Sequence, residues 1–282
     1  MAPTARRRDL PATLAAAVIA VTTVVAPAPP DGAANTGHKA GKQTKPTVIL
    51  VHGAWADTSS WNGEVRILRH AGYTVRAIGN PLQNLTTDAQ TVKNFLKSIK
   101  GPIVLVGHSY GGSVITNAAQ GVGNVKALVY VDAAAPAVGE TTAQLSGPTS
   151  VLTKGSPSDL YDAVPYPNAP SKASALYLKE NVFVTKFASS VAREQAVNLW
   201  ATQRAATTVA FNTPSKYSAW KTIPNWYFIS SGDQIITPDS EKKMASRARS
   251  KVTVYNGGSH LTLVSDPAAV TKVIQSAISS VQ

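Results

Sequence analysis

Cysteine is absent from the 282 residues. Disulfides, thiolate zinc sites, iron–sulfur clusters and a cysteine nucleophile are therefore excluded. Acidic side chains are also scarce: 15 Asp and Glu stand against 27 Lys and Arg, a formal net charge of +12. Such a charge can steer anionic ligands or hold a chain on an acidic surface. A nucleic-acid binder gathers its cations into clusters, whereas here the one tight run is Arg6-Arg7-Arg8. The other cations are scattered, which reads as a solvated basic surface and no nucleic-acid partner. There is no GxGxxG for a dinucleotide, no phosphate-binding glycine loop and no metal-ligand cluster in the sequence, so neither cofactor nor metal is expected. What remains is a globular composition, 44% hydrophobic and 15% charged, with apolar material for a sizeable core.

The first 34 residues stand apart. A polar start with three arginines leads into the uncharged apolar run Ala12–Ala26 and then into small residues and prolines. This is the three-part pattern of a secretory signal peptide over residues 1–34. The apolar run falls short of the ~20 residues of a bilayer span. Ala26-Pro27-Ala28 and Gly32-Ala33-Ala34 both offer small-residue cleavage points, and an uncleaved anchor is the alternative. Processing would give a secreted protein with no membrane span. Residues 35–46 read as a polar linker.

From Thr47 onward, strand-like and helix-like segments alternate. Short β-branched runs at Thr47–Val51, Thr74–Ile78, Pro102–Val106, Val125–Val131, Asn225–Ser230 and Val252–Tyr255 are separated by helical periodicity at 60–71, 86–100, 112–120, 238–249 and 267–281. That alternation predicts an α/β fold: a mostly parallel six-stranded sheet flanked by helices. Residues 137–220 break the rhythm with Pro-rich, aromatic and helical stretches. They read as a helical lid inserted in the core 47–136 and 221–282, over the carboxyl strand ends where such sheets bind ligands.

Gly107-His108-Ser109-Tyr110-Gly111 is a G-x-S-x-G sequence between a strand and a helix. In that context the serine sits on a sharp turn, its hydroxyl clear of the sheet, and neighbours without a Cβ make room for it. A serine hydroxyl needs a base to become a nucleophile. Of the five histidines, His260 follows the last strand, in a loop returning over the carboxyl edge. Its imidazole needs a carboxylate partner. Two acids follow strands between Ser109 and His260: Asp233, favoured by its position one strand nearer the histidine loop, and Asp132, the alternative acid. Two backbone N–H groups are expected to face a developing oxyanion, from Tyr110 and from Ala54 in the glycine turn after the first strand. Both act through the backbone, so their side chains are expected to tolerate change.

His52-Gly53-Ala54-Trp55, the GHSYGG turn, the SGDQ acid turn and GGSH, in that order, resemble the α/β-hydrolase superfamily over residues 47–280. They are closest to its small esterase and hydroxynitrile-lyase branch, whose members share an HGA-W start, a VDA stretch and a modest helical cap. The resemblance implies Ser109, Asp233 and His260 as a triad, Ala54 and Tyr110 as oxyanion donors, and a sheet lacking the superfamily's first two strands. Lyases of the branch carry lysine after the histidine; here that position is Leu261. The resemblance therefore points to an esterase acting on a small-molecule ester without a cofactor, with a lactonase or amidase as the alternatives on the same triad, and a lyase-type enzyme or a non-catalytic binding protein behind them. Aromatics of the lid, including Tyr161, Phe183, Phe187 and Trp200, suggest an apolar acyl or alcohol group.

Overall fold

The computed structural model describes residues 45–281. The signal peptide read over 1–34 and the linker up to residue 44 lie outside those residues. Among the described residues there are nine strands: β1 Thr47–Val51, β2 Val75–Ile78, β3 Ile103–His108, β4 Val125–Val131, β5 Tyr161–Val164, β6 Ala175–Leu178, β7 Ala206–Thr207, β8 Asn225–Ser230 and β9 Lys251–Tyr255. Six of them form one sheet in the order β2-β1-β3-β4-β8-β9, parallel at every pairing. The central strands are apolar runs because helices cover both faces of such a sheet. Val48 to Val51, Ile103 to Val106, Ala127 to Val131 and Tyr227 to Ile229 are all buried. β9 is the exception: its Val252 and Val254 remain about half exposed at the sheet edge.

The flanking helices include α1 Asn62–His70, α2 Leu85–Lys97, α3 Tyr110–Ala118, α4 Arg193–Ala201, α5 Pro238–Arg247 and α6 Pro267–Ser279. Their starts follow local chemistry. Asn84 accepts from Thr86 N before α2 (2.9 Å), and Asp266 accepts from Ala269 N before α6 (3.0 Å). Both satisfy amide groups that the first helical turn leaves without partners. Proline opens α5 and α6, where its missing N–H costs nothing.

Between β4 and β8 the chain builds more than helices. β5, β6 and β7 form a separate antiparallel sheet. The Pro-rich stretch 165–174 between β5 and β6 cannot continue either as helix or as strand, so the short segments on either side fold back on each other. Indole groups tie this sheet to its neighbours: Trp55 Nε1 donates to the Leu176 carbonyl and Trp200 Nε1 to the Leu178 carbonyl, both at 2.9 Å.

Candidate active site

The β3–α3 turn carries Ser109 in a conformation most residues avoid, φ 55° and ψ −125°. Left-handed φ strains a residue with a Cβ. The flanking glycines are needed for a different reason, close approach. A Cβ on Gly107 would stand 2.6 Å from the Gly111 carbonyl oxygen, and one on Gly111 would stand 2.5 Å from that of Val51. The glycine turn after β1 passes equally close: a Cβ on Gly53 would meet Ser109 Cβ at 2.4 Å. Gly53 is thereby held against Ser109, with Ala54 next along the turn and Tyr110 at the start of α3.

Ser109 Oγ donates to His260 Nε2 at 2.7 Å, and His260 Nδ1 donates to Asp233 Oδ2 at 2.6 Å. The other Asp233 oxygen accepts from Ile235 N at 2.7 Å and Ile236 N at 3.2 Å. Three N–H donors on one carboxylate favour its ionised form, although burial pushes its pKa upward. That burial also lowers His260 to about 3, which leaves the imidazole neutral and able to accept a proton. Of the two acids left open by the sequence, Asp233 is the one that touches His260. Asp132 lies at the end of β4, fully buried, with φ 43°, and its oxygens face Ser230 instead.

The remaining histidines have other partners. His108 is buried, and its Nε2 donates to the His260 carbonyl at 2.8 Å, bracing the turn that bears the imidazole. His52 is buried too. Its Nδ1 donates to the Gly53 carbonyl (2.9 Å) and its Nε2 accepts from Asn80 N (2.9 Å), so it fastens the glycine turn from beneath. Burial lowers His52 to about 4, which keeps Nε2 free to accept. His70 is exposed on α1, and His38 lies outside the described residues.

Several buried polar residues were not singled out from the sequence. Asp88 accepts from the Tyr110 hydroxyl at 2.9 Å. The Tyr110 side chain is thus tied into the core, contrary to the expectation that it matters through its backbone alone. Glu64 lies buried on α1 with neither carboxylate oxygen hydrogen-bonded, and burial raises its pKa. Its spacing from Trp61 and Leu68, at i+3 and i−4, is the signal that places it on the inner face. The tertiary structure also gathers Asp132, Asp233 and Glu241, each with a carboxyl oxygen within 4.8 Å of the others. Among the described residues these are the three side chains of metal-ligand type that converge in this way.

A cavity of about 150 Å³ lies under the small sheet, lined by Trp55, Leu152, Tyr161, Leu176 and Phe211, with Ser146, Thr208 and Asn212 among its polar margins. Phe211 connects it to the turn, its ring 6.0 Å from that of Tyr110 and 5.3 Å from that of Trp55. The insertion also covers the imidazole, with Phe187 5.1 Å from His260, ring to ring. A larger depression, about 460 Å³ over Arg66, Arg69 and His70, holds no nucleophile.

Known proteins agree with this architecture. The alpha/beta hydrolase family model matches residues 48–273. The alpha/beta hydrolase nvfD of Aspergillus novofumigatus is 26% identical over 254 residues, covering 83% of this chain and 96% of that protein. A carbendazim hydrolyzing esterase of Nocardioides is 32% identical over 107 residues, 33% of this chain and 44% of its own length. Polyneuridine aldehyde esterase superposes with a TM-score of 0.69 at 18% identity, covering 83% of this chain and 99% of that one. An extracellular alpha/beta-hydrolase from a Paenibacillus species superposes at 0.65 and 22% identity, covering 82% and 98%. Structural likeness at such identities speaks for the fold, while the family model covers most of the sequence itself. Among the described residues no helix is long and apolar enough to cross a membrane. From the strand–turn–helix geometry and the match over residues 48–273, the chain belongs to the alpha/beta hydrolase family and is a hydrolase.

Proposed function

We propose that this protein is an exported serine hydrolase of carboxylic esters that works through an acyl-enzyme. The observation that carries the reading is the continuous relay Ser109–His260–Asp233, with contacts of 2.7 and 2.6 Å. Ser109 Oγ attacks the ester carbonyl while His260 Nε2 takes its proton. The same imidazole then returns that proton to the departing alcohol. Asp233 holds Nδ1 protonated and stabilises the imidazolium that forms. The backbone N–H groups of Ala54 and Tyr110 face the developing oxyanion, and their placement is supported by the close passage of Gly53 against Ser109. Water then attacks the acyl-enzyme, with His260 again as base.

The apolar cavity beneath β5–β7 supports an ester with an apolar acyl or alcohol group, held by Trp55, Tyr161 and Phe211. Leu261 after the histidine is apolar and offers no charge to a cyanide leaving group, which favours hydrolysis over lyase chemistry. Export rests on the residue 1–34 pattern, and N-terminal sequencing of the protein from culture medium tests it: cleavage between residues 28 and 34 is expected.

Replacing Ser109 by Ala is expected to lower kcat on p-nitrophenyl esters by about 10⁴-fold or more. It should also abolish labelling by a serine-directed phosphonate, with the fold retained. Unchanged turnover in purified Ser109→Ala protein would end the serine reading.

A further inference from the structure

Asp132 is one of the buried acids that the ester mechanism leaves unused, and its surroundings do not have enough protons. Four oxygens stand in line from it toward the histidine turn. Asp132 Oδ2 lies 2.9 Å from Ser230 Oγ, Ser230 Oγ lies 2.7 Å from Thr262 Oγ1, and Thr262 Oγ1 lies 2.8 Å from the Ser259 carbonyl oxygen. Three oxygen–oxygen contacts of hydrogen-bond length require three protons. The two hydroxyl groups supply one each. A carbonyl supplies none, so the third must come from Asp132.

We propose that Asp132 is a carboxylic acid at neutral pH and heads a proton-ordered chain that positions the turn bearing His260. In this chain Asp132 O–H donates to Ser230 Oγ, Ser230 O–H to Thr262 Oγ1, and Thr262 O–H to the Ser259 carbonyl. The second Asp132 oxygen accepts from Ser230 N at 2.6 Å, and Thr262 Oγ1 accepts from Ser259 N at 3.0 Å. Every group then has a partner, and the chain ends on the residue next to His260. Asp132 is thus a positioning residue, and its role rests on the triad reading above.

The charges around it agree. Asp233 approaches from the loop after β8, Glu241 from α5 and Tyr227 from β8. Both Glu241 oxygens are buried without a hydrogen-bond partner. Among the described residues no ion pair reaches Asp132 or Glu241. Arg247, the nearby cation, is held by Glu140 and the Ala135 carbonyl. Three adjacent carboxylates cannot all remain ionised there, because like charges and desolvation both penalise the ionised form. Burial and the Asp233 charge push Asp132 well above the usual carboxyl range, whereas Asp233 has three N–H donors to hold its charge.

The test compares Asp132→Ala, Asp132→Asn and Ser230→Ala. Asparagine reproduces the protonated acid, its Oδ1 accepting from Ser230 N and its Nδ2 donating to Ser230 Oγ. Alanine should lower kcat about tenfold or more with little change in KM, and asparagine should recover most of that loss. Ser230→Ala should cost about as much as Asp132→Ala, and the double variant no more than either one. The acid limb of kcat/KM should stay in place in Asp132→Asn, since no charge is removed. If Asp132 were ionised, removing its charge would move that limb to lower pH. In the infrared, aspartate-labelled wild-type protein should show a protonated-carboxyl band that Asp132→Asn lacks. A shifted acid limb, additive losses, an Asn variant that fails to fold, or no such band in the wild type overturns the proposal. The infrared readout needs no turnover, so it is separate from failure of the esterase reading, which the Ser109→Ala experiment reports.

Discussion

The carboxyl edge of the large sheet and the insertion between β4 and β8 meet over Ser109, but they are built differently. The edge is made of turns leaving parallel strands that are buried on both faces, and its residues are held by backbone contacts closer than a methyl group would allow. The insertion is a small antiparallel sheet with short helices, joined to the edge by the Trp55 indole hydrogen bond and by ring contacts. Rigid, fully satisfied backbone suits groups that must hold sub-ångström geometry. Ring packing can change shape at modest cost, and it suits a surface that sorts substrates. Chemistry and selectivity should therefore respond to mutation separately.

The largest effect expected from the edge, beyond that of Ser109, is at Asp233. Asp233→Asn should lower kcat by about 10⁴-fold near neutral pH, because an amide can favour the wrong imidazole tautomer. Steady-state kinetics on a short-chain ester checks this. A near-normal Asp233→Asn enzyme would show that the edge does not hold its acid where the distances place it.

A smaller effect should come from the insertion. Phe211→Ala enlarges the cavity beside Tyr110 without touching the triad. It should shift the kcat/KM ratio between long-chain and short-chain p-nitrophenyl esters by about tenfold or more, the scale of a few methylene contacts. Equal losses on both esters would mean that Phe211 serves the chemical step, and the separation of roles would fail.

The smallest effect sharpens the boundary between the regions. Burial lowers His260 to about 3, and Phe187 from the insertion supplies part of that burial. Burial disfavours the imidazolium more than the adjacent Asp233 carboxylate favours it, so the neutral base persists as pH falls and the acid limb of kcat/KM should lie below ~6.5. Phe187→Ala admits water to the ring, stabilises the imidazolium and should move that limb upward. An acid limb that does not move would assign the low value to the edge alone. The depression also has a consequence for stability. A histidine that is harder to protonate when folded contributes stability fully above its unfolded pKa, and loses it as pH falls toward the folded value.

Much of this arrangement was legible in the residues. β-branched runs marked the six sheet strands, because a strand buried on both faces cannot alternate apolar with polar. Ser109 was marked by glycines that leave no Cβ to collide, and His260 by its place after the last strand. Local pattern also misled: the Pro-rich insertion read as helical, since segments as short as Tyr161–Val164 and Ala175–Leu178 have no period long enough to distinguish strand from helix. Glu64 and Asp88 were passed over because charged residues are rarely fully buried.

The six strands of the large sheet and the strained turn at Ser109 were legible in the residues alone, because each depends on sterics and periodicity within a few residues, and the order of serine, acid and histidine followed from the resemblance. Chain position favoured Asp233 over Asp132 without excluding either, and the tertiary structure shows which of them touches His260. Asp132 and Asp233 both follow strands, and those strands are neighbours in the sheet, so chain position favours Asp233 by one strand and no more. What distinguishes them is which oxygen meets an imidazole N–H and which meets a serine hydroxyl across the gap, a difference of a few ångströms set by how β4, β8 and the histidine turn pack together.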